Sequence, residues 1–297
     1  MTPGRSSSRR WRSSSTSKSP RGCPKGNTWR AFTMAPIRLC VVGADGRMGQ
    51  EVIRCAGEGF SIVGALTHTG SPNEGKTLAE LGLPGGSLRI EDPSKLSSLL
   101  ERADVYISFT TPDAEMANIS VAAGLGKKIV TGTTGFDQSQ LDALRSVIEG
   151  HTEAVMSYNF SVGINFLAGI LSRTSALPKG YDASMYEIHH TGKVDSPSGT
   201  ALYLGDILSE ARKYTRVVHG RSGRGRRSAE ELEISALRAG GVPGIHEVVL
   251  AGQNEMIRIG HTAFSRKIFA EGALLAARWL MDVSDRKIHS MREVLGV

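Results

Sequence analysis

From Ile37 onward, short β-branched runs alternate with helical periods, and the first alternation is broken by a glycine-rich turn. Ile37–Val42 reads as a strand, Gly43-Ala44-Asp45-Gly46-Arg47-Met48-Gly49 as the turn, and residues 47–56 as a helix. A strand that passes through glycines straight into a helix, in a pattern repeated along the chain, commits it to βαβ units on a parallel sheet. Within the turn, Gly43 permits the sharp reversal, Gly46 lets the backbone approach a pyrophosphate, and Gly49 allows the helix to pack closely on the strand. The spacing is GxxGxxG, one step from the dinucleotide fingerprint. Such a turn can also be a plain tight loop, but its place after the first strand of a series favours a nucleotide.

The alternation continues with strands at 61–66, 104–109, 128–130 and 154–156 and helices at 113–123 and 139–148. Residues 70–98, with Gly75, Gly82, Pro84, Gly85 and Gly86, read as loops. Three strands run out into Thr110-Thr111-Pro112, Thr131-Gly132-Thr133-Thr134-Gly135 and Ser157-Tyr158-Asn159-Phe160-Ser161, the small and polar carboxyl ends that line a ligand crevice in an open α/β sheet. After Gly163 the pattern changes. Strands at 183–190, 231–238, 245–250 and 255–262 are served by one long helix, at 198–212, as in an α+β unit with an antiparallel or mixed sheet. An amphipathic helix over 267–280 closes the sequence. The expected fold is therefore α/β: an N-terminal Rossmann-like, doubly wound parallel sheet (34–161, completed by 267–297) and an α+β substrate domain (162–266).

The segment from Glu187 to Ala201 holds the densest chemistry, with His189, His190 and Lys193 within five residues and then, across Pro197, Ser198-Gly199-Thr200 opening a helix. Helix starts bind anions through unpaired N–H groups and the positive end of the dipole, so Ser198, Gly199 and Thr200 read as a carboxylate cradle beside proton donors. A His-His pair on a strand and a Ser-Gly-Thr cap are also ordinary structural features.

The net charge of +7 suggests a nucleic-acid binder until its placement is considered. Residues 1–33 carry eight basic residues and no acid, which leaves −1 for the rest, so no nucleic-acid or membrane partner is expected of the folded part. This Ser/Arg-rich tail reads as disordered. An over-extended start ahead of Met34, a transit peptide and a nucleic-acid-binding arm are its three readings, and a chain beginning at Met34 is expected to fold and work. Cys23, Cys40 and Cys55 lack CxxC spacing, so neither a disulfide framework nor a metal site is expected and a reducing compartment fits. The arginines at 216, 221, 224, 226 and 227 crowd a Gly-rich loop, which is either a solvated loop or an anion-steering patch near the active cleft.

With these residues in view, the chain resembles the 4-hydroxy-tetrahydrodipicolinate reductase (dihydrodipicolinate reductase) family over residues 37–297. The resemblance is carried by Val42 to Gly49, Gly132 to Phe136, Asn159 to Gly163, the segment from His189 to Thr200, and Ser265-Arg266. It implies NADPH or NADH in the Rossmann-like domain, with Gly43, Ala44, Asp45, Gly46, Arg47 and Met48 at the pyrophosphate. Gly132, Thr133 and Thr134 would approach the nicotinamide, and Ser157, Tyr158, Asn159 and Phe160 would border it at the hinge. It puts His189 and Lys193 at the proton-donor positions and His190, Gly199 and Thr200 on the carboxylates of a small cyclic dicarboxylate imine. Lys193 is then the expected acid, with His189 orienting or relaying, and the helix start at Ser198–Thr200 together with Arg266 supplies two anion sites. The resemblance also implies a homotetramer built through the sheet of the smaller domain and a cytoplasmic enzyme, organellar if the tail is a transit peptide. A related amino-acid dehydrogenase or a non-catalytic NADP sensor would account for the glycine turn but not for the His-His-to-Ser-Gly-Thr segment.

One departure from the family is at the end of the second strand, where Thr67-His68 stands in place of an acid followed by arginine. With Thr67, His68 and Thr69 able to donate hydrogen bonds and no acid on the strand, NADPH is expected to serve at least as well as NADH.

Overall fold

The computed structural model describes residues 35–297, so the expectations for residues 1–33 lie outside the described residues. The first sheet is seven-stranded and wholly parallel. It is built from β1 (Ile37–Val42), β2 (Phe60–Leu66), β3 (Ile90–Glu91), β4 (Val105–Ser108), β5 (Lys128–Thr131), β6 (Ala154–Met156) and β12 (Ile288–His289), in the order β12-β6-β5-β4-β1-β2-β3. The chain reverses direction across the sheet between β1 and β4, the place where open α/β sheets bind ligands at their carboxyl ends.

The strands alternate between two apolar layers. Leu39 and Val41 of β1 join Val105 and Ile107 of β4 on the face covered by α1 (Arg47–Cys55) and α7 (Lys267–Leu280). Cys40 and Val42 join Tyr106 and Ile129 on the opposite face, under α2 (Leu96–Glu101), α3 (Pro112–Gly124) and α4 (Gln138–Ile148). Burial on both faces is why these strands read as continuous apolar runs.

The second sheet has five strands in the order β11-β10-β7-β9-β8: β7 (Asp182–His189), β8 (Arg216–Val218), β9 (Glu231–Arg238), β10 (Ile245–Ala251) and β11 (Met256–Thr262). It is mixed: β7 is parallel to β9 and antiparallel to β10. One face is covered by α5 (Val162–Ser172) and α6 (Gly199–Arg212) over a core that includes Met185, Ile234, Val248 and Leu204. β7 alternates strictly, so Ala183, Met185, Glu187 and His189 all point to the helix side. The C-terminal segment returns to the first sheet: α7 packs on it, β12 pairs with β6, and α8 (Met291–Leu295) packs against α5 and α7.

Two sequence expectations change. Arg216 opens β8 rather than a structureless loop, and the stretch read as loop from 70 to 98 contains β3 and the first residues of α2. No described helix is long and apolar enough to cross a membrane.

Candidate active site and nucleotide crevice

The glycine turn after β1 is tied to the end of β2, because the N–H groups of Gly43 and Ala44 both donate to the Leu66 carbonyl, at 2.9 and 2.8 Å. Gly43 adopts φ +78°, and a side chain on Gly49 would place its Cβ 2.0 Å from the Gly43 carbonyl oxygen. The start of α1 therefore lies directly on the turn, as a pyrophosphate site requires. Gly46 caps α1 without any side-chain hydrogen bond, so no side chain competes with an anion for the first N–H groups. The residues present fit a dinucleotide.

Along the carboxyl ends of β5 and β6 lies a cavity of about 270 Å³ lined by Thr131, Thr133, Met156, Ser157, Tyr158 and His289, among others. Three of the residues expected at the nicotinamide, Thr133, Ser157 and Tyr158, are thus together on one wall. Gly132 and the exposed Thr134 flank Thr133. Phe160 departs from its expected place: its ring is 2 % exposed and packs edge-on against Phe109, with centroids 5.9 Å apart, so it braces the turn from inside. Ala44 is fully buried and its N–H is bonded to the Leu66 carbonyl, so it supports the turn from inside.

Thr67 also departs. Its hydroxyl donates to Asp45 Oδ1 at 2.7 Å and the residue is 3 % exposed, so it is not free to serve a phosphate. His68 beside it is exposed, as are Arg47 and Arg266. Arg266 stands at the start of α7 between the cavity residues Ala263 and Phe269, with its own side chain in solvent.

At the end of β7 the expected proton-transfer group is organised by a neighbour that carries no role in the motif itself. Glu187 is fully buried; one of its oxygens accepts a hydrogen bond from His189 Nδ1, and the other accepts from the Ser198 N–H at 3.0 Å and from Arg238 Nη1 at 3.1 Å. A single carboxylate therefore joins the imidazole to the start of α6. Burial pushes His189 below its ordinary value and outweighs the upward pull of Glu187, so the ring is neutral, with Nδ1 engaged and Nε2 turned toward Gly244.

A small cavity of about 30 Å³ meets His189 together with Asn159, Thr200, His246 and His261. Asn159 Nδ2 donates to Thr200 Oγ1 at 2.9 Å and so joins the hinge turn to the cradle. His246 and His261 were missed by sequence reading. Each is a lone histidine within a strand, and the available signal was that His246 shares the inward register of Val248 and Leu250. Burial pushes His246 down to about 3, and it stacks edge-on with His189 at 5.1 Å.

Ser198 is a correction. It is 2 % exposed, and its hydroxyl caps α6 by accepting from Ala201 N and contacts His246 Nε2 at 3.2 Å, so it builds the cradle without facing a ligand. Gly199 and Thr200 remain open to one. Lys193 Nζ pairs with Asp195 at 2.8 Å, and the Lys193 N–H donates to the His190 carbonyl at 3.1 Å in a tight turn; the Lys193 charge disfavours protonation of His189 and His246. Asp195 is held below its usual range by Lys193, with a smaller pull from the Gly199 backbone, so this helix start already attracts a carboxylate.

Glu187, His189 and His246 are of metal-ligand type and lie within ligating reach of one another. Glu187 is already charge-balanced by Arg238 and bonded to His189, a pattern that reads as a proton relay. The arginine loop lies elsewhere. Arg221 pairs with Glu231, and Arg227 pairs with Asp182 at 2.7 Å, at the opposite end of β7 from His189, roughly 23 Å away at strand rise. These two arginines brace a sheet edge, and the steering reading fails for them.

The family models and the curated relatives agree on one family. Residues 37–160 match the family model for the dihydrodipicolinate reductase N-terminus and residues 163–295 that for its C-terminus. The 4-hydroxy-tetrahydrodipicolinate reductase of Rhodopseudomonas palustris (strain TIE-1) is 39 % identical over 272 residues, covering 89 % of this chain and 99 % of that one. That of Rubrobacter xylanophilus is 40 % identical over 269 residues, covering 88 % and 98 %. Among solved structures, a dipicolinate-bound dihydrodipicolinate reductase from Paenisporosarcina sp. TG-14 superposes with a TM-score of 0.69 at 22 % identity, covering 86 % of this chain and 97 % of that one, a likeness of fold.

Proposed function

The chain belongs to the dihydrodipicolinate reductase family, and from that premise we propose how its residues divide the work. It is an oxidoreductase of lysine biosynthesis that reduces 4-hydroxy-tetrahydrodipicolinate with a nicotinamide nucleotide. When bound, the cofactor supplies the hydride.

The turn from Gly43 to Met48 holds the pyrophosphate at the uncapped start of α1, through the N–H groups of Arg47 and Met48, since those of Gly43 and Ala44 are taken by the Leu66 carbonyl, and the residues Gly132–Thr134 and Ser157–Tyr158 shape the nicotinamide end. Substrate carboxylates are met by Gly199 and Thr200 at the start of α6 and by His190, with Arg266 as the second anion site. The 4-hydroxyl leaves as water, giving a conjugated imine; as a ring carbon of that imine accepts the hydride and electron density moves toward the nitrogen side, one proton must be supplied, and the ammonium of Lys193 holds it at Nζ. His189, kept neutral with Nδ1 on Glu187, orients the substrate and accepts or passes protons at Nε2. A substrate carboxylate at the start of α6 takes the place that Asp195 favours and frees Lys193 for transfer.

The observation that carries this reading is the Glu187 carboxylate, bonded at once to His189 and to Ser198 N–H, because it sets a proton-handling ring beside an anion cradle. A homotetramer assembled through the second sheet is part of the proposal, supported by Ile188, Leu237 and Val249 on the sheet face turned away from α5 and α6. The test is cofactor oxidation by the purified protein while a dihydrodipicolinate synthase generates the substrate in the same cuvette. Oxidation that requires both enzymes supports the reading, and none at any cofactor concentration would refute it.

A further inference from the structure

Resting on the reading that a nicotinamide dinucleotide lies in the crevice, the charges around the end of β2 bear on which dinucleotide it is. In βαβ nucleotide sites, an acid at the end of the second strand binds the adenosine ribose 2′-hydroxyl and repels a 2′-phosphate. This strand ends in Thr67-His68 and has no acid. The structure supplies one from elsewhere.

Asp45 reaches across from the glycine turn to the end of β2. Its Oδ1 accepts from Thr67 Oγ1 at 2.7 Å, and its Oδ2 accepts from Ser71 Oγ at 2.6 Å and from Asn73 Nδ2 at 3.4 Å. Burial opposes ionisation of Asp45, but the hydroxyls of Ser71 and Thr67 and the amide of Asn73 prevail and hold its carboxyl below the ordinary value. The carboxylate is thus a fixed negative charge 2.7 Å from the Thr67 hydroxyl, next to the strand end where that acid would stand. The nearby Lys76 is turned to Asn73 Oδ1 at 3.1 Å, and Glu74 accepts from Gly70 N at 3.2 Å, both in exposed positions.

We infer that Asp45 is a specificity-determining residue that disfavours a 2′-phosphorylated cofactor, so that NADH binds more tightly than NADPH. Because three side-chain donors already occupy its oxygens, Asp45 acts through charge and through the shape of the 67–73 loop. Thr67 anchors that carboxylate. This reverses the expectation drawn from Thr67-His68 alone, which treated the threonine hydroxyl as available.

The test is calorimetric binding of NADH and of NADPH to the full chain and to Asp45→Asn and Thr67→Val. The expected result is a preference for NADH of roughly tenfold in the unaltered protein, the scale of one screened like-charge contact. Asp45→Asn narrows the ratio mainly by tightening NADPH, while Thr67→Val, which keeps the charge and two of its three side-chain donors, narrows it less. If Asp45→Asn fails to fold, ADP and 2′,5′-ADP are compared on the unaltered chain at rising salt, where the penalty on the 2′-phosphate should shrink. Equal binding, a preference for NADPH, or a ratio unmoved by Asp45→Asn or by salt would overturn the inference. Binding of neither dinucleotide would instead remove the reading on which it rests.

Discussion

Glu187 and His189 lie two residues apart on β7, point to the same side, and share a hydrogen bond in which the buried carboxylate accepts from the Nδ1–H of the imidazole. Strand periodicity makes this pair: a one-residue change in spacing would turn the ring to the open face. Glu187→Gln keeps the volume but removes the charge that fixes the tautomer and balances Arg238. Turnover is expected to fall on the order of a hundredfold, with cofactor affinity unchanged. Parallel measurement of turnover, substrate KM, cofactor Kd and the unfolding midpoint separates this from simple loss of fold. Unaltered turnover in a folded Glu187→Gln protein would show that the ring needs no such partner.

The cradle residues should separate in their effects. Ser198→Ala removes the α6 cap and is expected to cost about 1 kcal/mol of stability. Thr200→Val, at the cavity wall and bonded to Asn159, should raise substrate KM with little change in the unfolding midpoint. Denaturant unfolding and steady-state kinetics on both variants check the split, and the reverse pattern would contradict it.

The buried histidines give a pH dependence with a definite sign. His246 is neutral in the folded protein down to about 3, whereas in the unfolded chain it protonates near its ordinary value of 6.5. Its contribution is fully present above 6.5 and is lost as pH falls from 6.5 toward 3, at a limiting slope of about 1.4 kcal/mol per pH unit. His189, also lowered, adds in the same direction from the same upper limit. The lowered aspartates Asp45 and Asp195 stabilise the fold fully above their ordinary value of 3.8, and that contribution is lost only as pH falls below it. Urea unfolding across this range should show stability declining from pH 6.5, and His246→Gln should flatten the upper part of the decline.

Gly49→Ala tests the turn itself. The added methyl meets backbone atoms of Gly43 and Ala44 that cannot rotate away, so α1 must shift. A loss of about 1–3 kcal/mol together with sharply weaker dinucleotide binding is expected. Unchanged binding would mean that the start of α1 does not hold the pyrophosphate.

Much of this arrangement was legible in the sequence because its determinants are local. The glycine turn, the three polar strand ends and the His189–Thr200 segment each announce themselves within a dozen residues. What escaped is set by partners far along the chain. β12 is two residues long and exists because Ile288 and His289 pair with Ala154 and Val155. β8 forms within an arginine-rich stretch because β9 offers it an edge. Glu187 stood at the head of the motif, but its role emerges only when β9 brings Arg238 and the start of α6 brings Ser198. The engagement of Thr67 escapes for the same reason, since the carboxylate that accepts its hydrogen bond belongs to a turn 22 residues earlier.

The central claim is that Lys193 supplies the proton in the reduction. It is tested most directly by comparing Lys193→Ala with the unaltered chain in the coupled assay, with cofactor Kd measured on the same samples. Turnover is predicted to fall by roughly two to four orders of magnitude while cofactor affinity stays within about twofold, the signature of a lost general acid. Near-normal turnover in Lys193→Ala would contradict the account.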